Sequence, residues 1–494
     1  MTESGGLRKG GSSLKRIVLT VLLGAIMLHC GAEAAFQALS PSGAAKSDVL
    51  ASADPADYEN GEVLVLYSDG DSEVLTYGTE EDLAAALDAL AADETVTLVQ
   101  PNYTYTDTAL STEDTLAGQQ WALDNDGSFH MEEAENDFPV FEDPFGKPAA
   151  PGQWTRPPWF GYPGGSRSIF RGRFTSSSTR GTTAVAGIDI NVQEAWDVYD
   201  GGSRDVVIAL IDTGVDGEHQ DLEDVLWVNE DEIPGNGIDD DGNGFVDDVN
   251  GWNFYDDTNV TFTGSEDSHG THCAGTIAAS AGNGVGIAGI VQSEHVKIMV
   301  LKVLGGEDSS GTTASIIAAI QYAEANGASI CNLSLGSSQN DSALYRTMAA
   351  SDMLFVAAAG NDGADLSVSP SYPASYDLDN LITVANLNYD GTLHYSSNYG
   401  EAVDLAAPGS YILSTTPEDG YSYMTGTSMA APMVTAAAAM VYSYYEDITL
   451  ADVKEILLSS VRQLDSLEDL TATGGMLDLG AAMACDLGSL SGTG

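Results

Sequence analysis

The chain has 494 residues, too many for one ordinary domain, and its 43% apolar content with 54 glycines suits a packed α/β protein rather than a disordered one. Its 74 acidic against 17 basic residues leave a formal charge of −57. That field repels nucleic acid and anionic membranes over most of the surface, so neither is expected as a partner; it points to solubility and names no substrate.

Arg8, Lys9, Lys15 and Arg16 precede a short apolar core, Ile17 to Leu28, and Ala32-Glu33-Ala34 supplies an A-x-A-like cleavage site. Residues 1–34 therefore read as a secretory signal, and the core is too short to span a bilayer as a stable helix. Lipid anchoring at Cys30 is the rival reading, disfavoured by His29 where a small residue normally stands. Secretion, with no membrane attachment after cleavage, is the expectation. Loss of the signal leaves Cys273, Cys331 and Cys485. Three thiols cannot all pair within one chain, so at least one is free and a core, not disulfides, must hold the fold.

Residues 35 to about 56 are small and polar, as in a linker. A small mixed α/β unit follows over 57–107: Gly61 to Tyr67 reads as a strand, Glu80 to Leu90 as an Ala/Leu-rich helix, and Val96 to Val99 as a strand before Pro101-Asn102-Tyr103. Its place between signal and main body is that of a prosegment. The main body spans 110–485, interrupted at 128–180 by a stretch without periodicity that holds six of the bases: Lys147, Arg156, Arg167, Arg171, Arg173 and Arg180. This is a surface insertion or processing loop, the alternative being a docking arm for an acidic body.

Beyond Gly187, strands alternate with helices. Asp205 to Ile211 is a near-continuous apolar run, as in a strand buried on both faces, and similar runs occur at Val296–Val303, Ala328–Leu333 and Leu354–Ala358. Helical stretches such as Ala314–Asn326 lie between them. This alternation predicts a parallel sheet sandwiched by helices.

In such a sheet reactive groups gather at the carboxyl ends of strands. Asp212 stands at one, before Thr213-Gly214, where it is placed either to orient a histidine or to serve as a solvated turn. His269 opens a helix of small residues, Ser268 to Thr276, and can turn one ring nitrogen to a carboxylate and the other to a hydroxyl. Metal binding by His269, His272 and Cys273 is an alternative that lacks a nearby further ligand. Ser428, in Gly426-Thr427-Ser428-Met429-Ala430-Ala431-Pro432, precedes an apolar helix over Met433–Tyr445, with Pro432 expected in its first turn. There the unpaired N–H groups favour negative charge; an N-cap is the bland alternative. Asn361 ends the apolar run Phe355 to Gly360, either as an amide donor to an oxyanion or as a turn former.

Taken together, in the order Asp, His, Asn, Ser, these motifs resemble the subtilisin-like (subtilase, peptidase S8) serine proteases from about Gln119 to about Met483. The resemblance implies a three-layer α/β sandwich with a mainly parallel sheet, preceded by a small ferredoxin-like α+β propeptide. It implies a secreted, monomeric endopeptidase acting on protein or peptide substrates and made as a self-processed zymogen, its own propeptide the intramolecular inhibitor, cut near Thr106 to Ser111. Ser428 would be nucleophile, His269 general base and then acid, Asp212 its orienting partner, and Asn361 an oxyanion donor. Ser310 and Gly311, with Ser334, Leu335 and Gly336, would flank an extended substrate as two strands. Ala357, Ala358, Ala359 and Gly360 would line an apolar S1 pocket, with broad specificity and an apolar P1 preference. Tyr372-Pro373 resembles a family turn whose peptide isomer sequence leaves open. Cys273 lies in the turn after His269, as a buried packing residue near enough for a metal on its sulfur to disturb the base. A silent, non-catalytic relative and a metal-dependent hydrolase using His269 and His272 are the competing functions.

Asp239 to Asp248 spaces oxygen ligands at alternate positions. It resembles the first part of a calcium loop, with Asp239, Asp241, Asn243, the Phe245 carbonyl and Asp247 (or Asp248) converging on a structural cation. A solvated Asx-rich turn is the alternative.

Overall fold

The computed structural model describes residues 58–67, 72–76, 96–107, 110–111, 120–123, 125, 127, 129 and 183–487 apart from 223, 282, 284, 307 and 308. The expected signal peptide, the linker, the helix at Glu80–Leu90 and, Phe129 excepted, the 128–180 insertion lie outside them. The chain divides into two units, Met1–Tyr103 and Thr104–Gly494.

In the first unit β1 (Tyr58–Tyr67) pairs antiparallel with β2 (Ser72–Thr76) and with β3 (Val96–Asp107). Leu64, Val65 and Leu66, the β-prone centre of β1, are buried. The last four residues of β3 belong to the second unit, so the division falls earlier than the 107–110 boundary expected from sequence.

In the second unit a nine-stranded sheet runs in the order β16-β17-β13-β12-β11-β9-β5-β7-β6. Its strands are β5 (Val206–Asp212), β6 (Gly251–Asn253), β7 (Val296–Lys302), β9 (Ala328–Leu333), β11 (Leu354–Ala358), β12 (Leu381–Leu387), β13 (Leu405–Pro408), β16 (Arg462–Gln463) and β17 (Gly475–Met476). Every neighbouring pair is parallel except β16 with β17. All residues of β11 and β12 are buried, which requires cover on both faces. The helices of this unit include α1 (Val192–Val198), α2 (Ser268–Ala278), α3 (Thr313–Ala325), α4 (Ser342–Ala350), α5 (Thr427–Tyr444) and α6 (Leu450–Ser459). Helix α5 packs on β11, β12 and β13 with α2 beside it; α3 packs on β5 and β9 with α4 beside it. The result is the three-layer α/β sandwich, and no described helix is long and apolar enough to cross a membrane.

Short strands edge the second unit: β4 (Leu110–Ser111), β8 (Ser310–Thr312), β10 (Leu335–Gly336) and the hairpin β14 (Ile412–Thr416) and β15 (Gly420–Thr425). Phe129, placed by sequence in a surface insertion, is instead buried, its ring 5.2 Å from that of Tyr389 and 6.2 Å from that of Trp121. An aromatic ring of this size gains more from burial than a loop position offers it. Cys273, Cys331 and Cys485 are all free thiols, so apolar packing holds this body together.

Candidate active site

Apolar β5 delivers Asp212 to its carboxyl end, and Thr213-Gly214 turns the chain there. His269 is the second residue of α2, where helix geometry points its ring back over that turn. Its Nδ1 lies 2.7 Å from Asp212 Oδ1, with Asp212 1% and His269 6% exposed. In so dry a place this hydrogen bond fixes the ring and its tautomer more firmly than it would in water. Asp212 Oδ1 also accepts the Thr213 N–H at 2.7 Å, and Thr213 Oγ1 accepts the Gly270 N–H at 3.0 Å, tying strand end to helix start.

Ser428 is fully buried in the first turn of α5. That helix starts at Thr427, six residues before the predicted start at Met433, so Pro432 falls in the second turn rather than the first. Its ring then deprives the Ser428 carbonyl of its helical partner. The small residues of this segment let neighbours approach and replace the lost bond. Ser334 Oγ donates to that carbonyl at 3.0 Å and the Cys273 thiol at 3.6 Å. Ser428 Oγ donates in turn to the Ser334 carbonyl at 3.2 Å. Cys273 thus has a buried structural role, and its sulfur, a His269 nitrogen and an Asp212 oxygen lie within 4.8 Å of one another.

Three residues beyond β11, Asn361 Oδ1 accepts the Thr427 N–H at 3.0 Å. The oxygen being so committed, Nδ2 is the other amide atom: a buried donor with no hydrogen-bond partner among the described residues. Thr427 Oγ1 accepts the Gly360 N–H at 3.1 Å, so this threonine, unnoticed in the sequence, holds both Gly360 and Asn361 against the start of α5. A Cβ on Gly360 would come within 2.4 Å of Asn398 Nδ2, and its φ of 98° favours glycine. Ala357, Ala358 and Ala359 are buried. The Tyr372-Pro373 peptide is cis.

Ser310 and Gly311 lie in β8, Leu335 and Gly336 in β10, and Ser334 just before β10. Within the second unit the segment Thr104–Asp107 runs antiparallel to both: Thr106 pairs with Ser310 and Gly336, Tyr105 with Gly311, and Asp107 with Leu335. Leu110 and Ser111 pair antiparallel with Thr425 and Met424 of β15.

His272, three residues from His269, is fully buried and bonds the Ile412 carbonyl through Nε2 at 2.9 Å. Burial pushes its pKa down to about 3. Neutral and engaged with backbone, it packs α2 on β14 and is not brought together with His269 and Cys273 as a ligand set.

The acidic loop differs from its sequence reading. The carboxylates whose oxygens converge within 4.8 Å are Glu232, Asp241 and Asp248; Asp241 was expected, Asp248 was the alternative to Asp247, and Glu232 was not expected. Asp239 instead accepts the N–H groups of Gly242 and Gly244, and Asp247 those of Asn236 and Gly237. A loop this rich in glycine leaves amides unpaired, and the nearest carboxylates take them. Asn243 Nδ2 bridges Asp241 and Asp248, as does Asn229 Nδ2 from outside the loop. The Tyr322 hydroxyl donates to Asp248 at 2.6 Å, and the Phe245 ring packs edge-on against Tyr322, Trp252 and Phe254. Three hard anionic oxygens, two of them on buried residues, fit a hard divalent cation such as calcium. Glu232 was invisible in the sequence because it lies outside the repeating Asp/Asn pattern.

The model of the subtilase family matches residues 203–476. Thermitase of Thermoactinomyces vulgaris is 35% identical over 257 residues, which is 51% of this chain and 80% of that protein. The major intracellular serine protease of Bacillus subtilis is 35% identical over 281 residues, covering 55% and 80%. Among solved structures, a protease of Pseudoalteromonas arctica is 27% identical over 60% of this chain and 94% of its own, with a TM-score of 0.48.

Proposed function

From the premise that this chain belongs to the subtilase family and is a serine-type endopeptidase, we propose that Asp212, His269 and Ser428 are its catalytic triad and Asn361 its oxyanion donor. The observation that carries this is the buried 2.7 Å contact between Asp212 and His269, taken with a serine at a helix N-terminus and an amide whose uncommitted atom is a donor. Ser428 Oγ attacks the substrate carbonyl as His269 Nε2 takes its proton. Asp212, accepting from Nδ1–H, fixes the tautomer and stabilises the imidazolium. Negative charge gathers on the carbonyl oxygen, where Asn361 Nδ2–H and the N-terminus of α5 receive it. The C–N bond breaks as His269 returns the proton to the leaving amine. Water, deprotonated by the same ring, then hydrolyses the ester and restores Ser428.

Substrate would lie extended between β8 and β10, held through Ser310, Gly311, Ser334, Leu335 and Gly336 by backbone bonds of low sequence demand. Ala358 and Gly360 would shape the P1 site and favour apolar residues with broad tolerance. The chain's own Thr104–Asp107 occupies that middle position, which supports the leader as inhibitor and first substrate. With Leu110–Ser111 on β15, the self-cleaved bond falls between Asp107 and Leu110. The enzyme would be secreted after loss of 1–34 and act as a monomer. Calcium held by Glu232, Asp241 and Asp248 would neutralise their charge and brace the loop, without taking part in the chemistry.

The test is expression of the full chain beside Ser428→Ala, with casein hydrolysis and N-terminal sequencing of the product. Wild type is expected to shorten itself to a species beginning at Thr108, Ala109 or Leu110, and Ser428→Ala to remain whole and inactive. Processing by both proteins, or by neither, defeats the reading.

A further inference from the structure

Lys302, the last residue of β7, is fully buried, a rare position for lysine, and the β5–β7 register sets it directly beside Asp212. Its Nζ donates to Asp267 Oδ1 at 2.6 Å, to the Thr213 carbonyl, and to the Leu304 carbonyl at 3.1 Å, with Glu266 3.7 Å away. Three acceptors match its three hydrogens. Asp267 is equally buried; its Oδ2 accepts the Thr263 N–H at 2.5 Å and the Thr263 hydroxyl at 3.0 Å. The pair therefore reaches the residue after Asp212 and the residue two before His269. Gly214 completes the joint: a Cβ there would stand 2.5 Å from the Thr261 carbonyl and 2.9 Å from Asp267 Cγ.

We propose that Lys302 and Asp267 are positioning residues for this reaction, a buried ion pair that clamps the Asp212 turn to the start of α2 and so fixes the Asp212–His269 geometry. The inference rests on reading those two residues as the catalytic pair. Stability alone does not account for it. Apolar residues of similar volume commonly replace a buried ion pair at no cost, whereas two fixed charges with every hydrogen bond made specify a single geometry. Displacements of about 1 Å in such a site can cost about 10²-fold in rate.

The experiment uses the full chain, matured in trans by a trace of tagged wild-type enzyme that is then removed. Lys302→Met/Asp267→Leu removes both charges and keeps the volume. Its kcat per folded molecule on a chromogenic peptide is expected to fall about 10–100-fold with KM within about twofold and the melting temperature at or above wild type. Lys302→Arg, which keeps the charge but fits the three acceptors less well, is expected to retain an intermediate kcat and to shift the low-field His269 Nδ1 proton resonance. A double variant with wild-type kcat overturns the proposal. If that variant does not fold, Lys302→Arg with unchanged kcat and resonance does so instead. Ser428→Ala runs alongside: residual hydrolysis there would sink the triad reading itself, whereas an inactive Ser428→Ala with a fully active double variant sinks only the clamp.

Discussion

Asn361→Leu isolates the proposed oxyanion donor. Among the described residues Nδ2 has no hydrogen-bond partner, and in the proposed role its bond strengthens as charge develops on the substrate oxygen. An interaction confined to the transition state lowers kcat and leaves KM alone when removed. Loss of one such donor costs about 10²–10³ in kcat, or about 2.7–4 kcal/mol. The effect on folding is worked separately. Leucine removes a buried unsatisfied donor that costs about 1–3 kcal/mol, but it also strips the buried Thr427 N–H of its 3.0 Å acceptor, a penalty of the same size. The two terms offset, so stability should stay about level. The assay is steady-state hydrolysis of a chromogenic peptide by mature enzyme, beside thermal unfolding of the same preparation. A rise in KM at constant kcat would refute the reasoning, as would a kcat loss that tracks a fall in folded protein.

Further outcomes follow from the same geometry. Three carboxylates within 4.8 Å repel by roughly 3 kcal/mol a pair at an effective dielectric near 20, so a calcium chelator should lower the melting temperature without lowering kcat where the fold persists. Glu232→Gln should shrink that chelator effect; a melting temperature indifferent to calcium would dismiss the site. His272, with its pKa depressed to about 3 by burial, stays neutral in the fold while the unfolded chain takes up a proton below about 6.5. Its contribution, on the order of 5 kcal/mol at most, is present above that pH and lost as pH falls toward 3. His272→Gln should flatten the decline of stability between pH 7 and pH 4; an unchanged slope would assign acid sensitivity elsewhere.

Much of the fold was legible because it is local. A strand buried on both faces tends to be a near-continuous apolar run, and β7, β9 and β11 begin where such runs begin. Asp212, His269, Ser428 and Asn361 carry signatures in their own neighbours: a turn after a strand, small residues around a helix start, Gly-Asn after a strand. The start of α5 was misjudged because Pro432 reads as a first-turn residue. It is accepted one turn later only because Ser334 and Cys273, 98 and 159 positions earlier in the chain, supply donors to the Ser428 carbonyl.

The sequence by itself determined which residues are able to do the chemistry, since their types and order are properties of the chain. The tertiary structure decided what surrounds them. Glu232 joins Asp241 and Asp248 only when the loop closes, and Asp239 and Asp247 leave the set because their oxygens accept backbone amides of the loop. Lys302 meets Asp267 only because parallel pairing of β7 with β5 brings it beside Asp212. A lone lysine ending a strand carries no mark of burial; besides Leu304 close by, the charge is kept there by acceptors from two distant segments, Thr213 and Asp267, which meet it only in the fold.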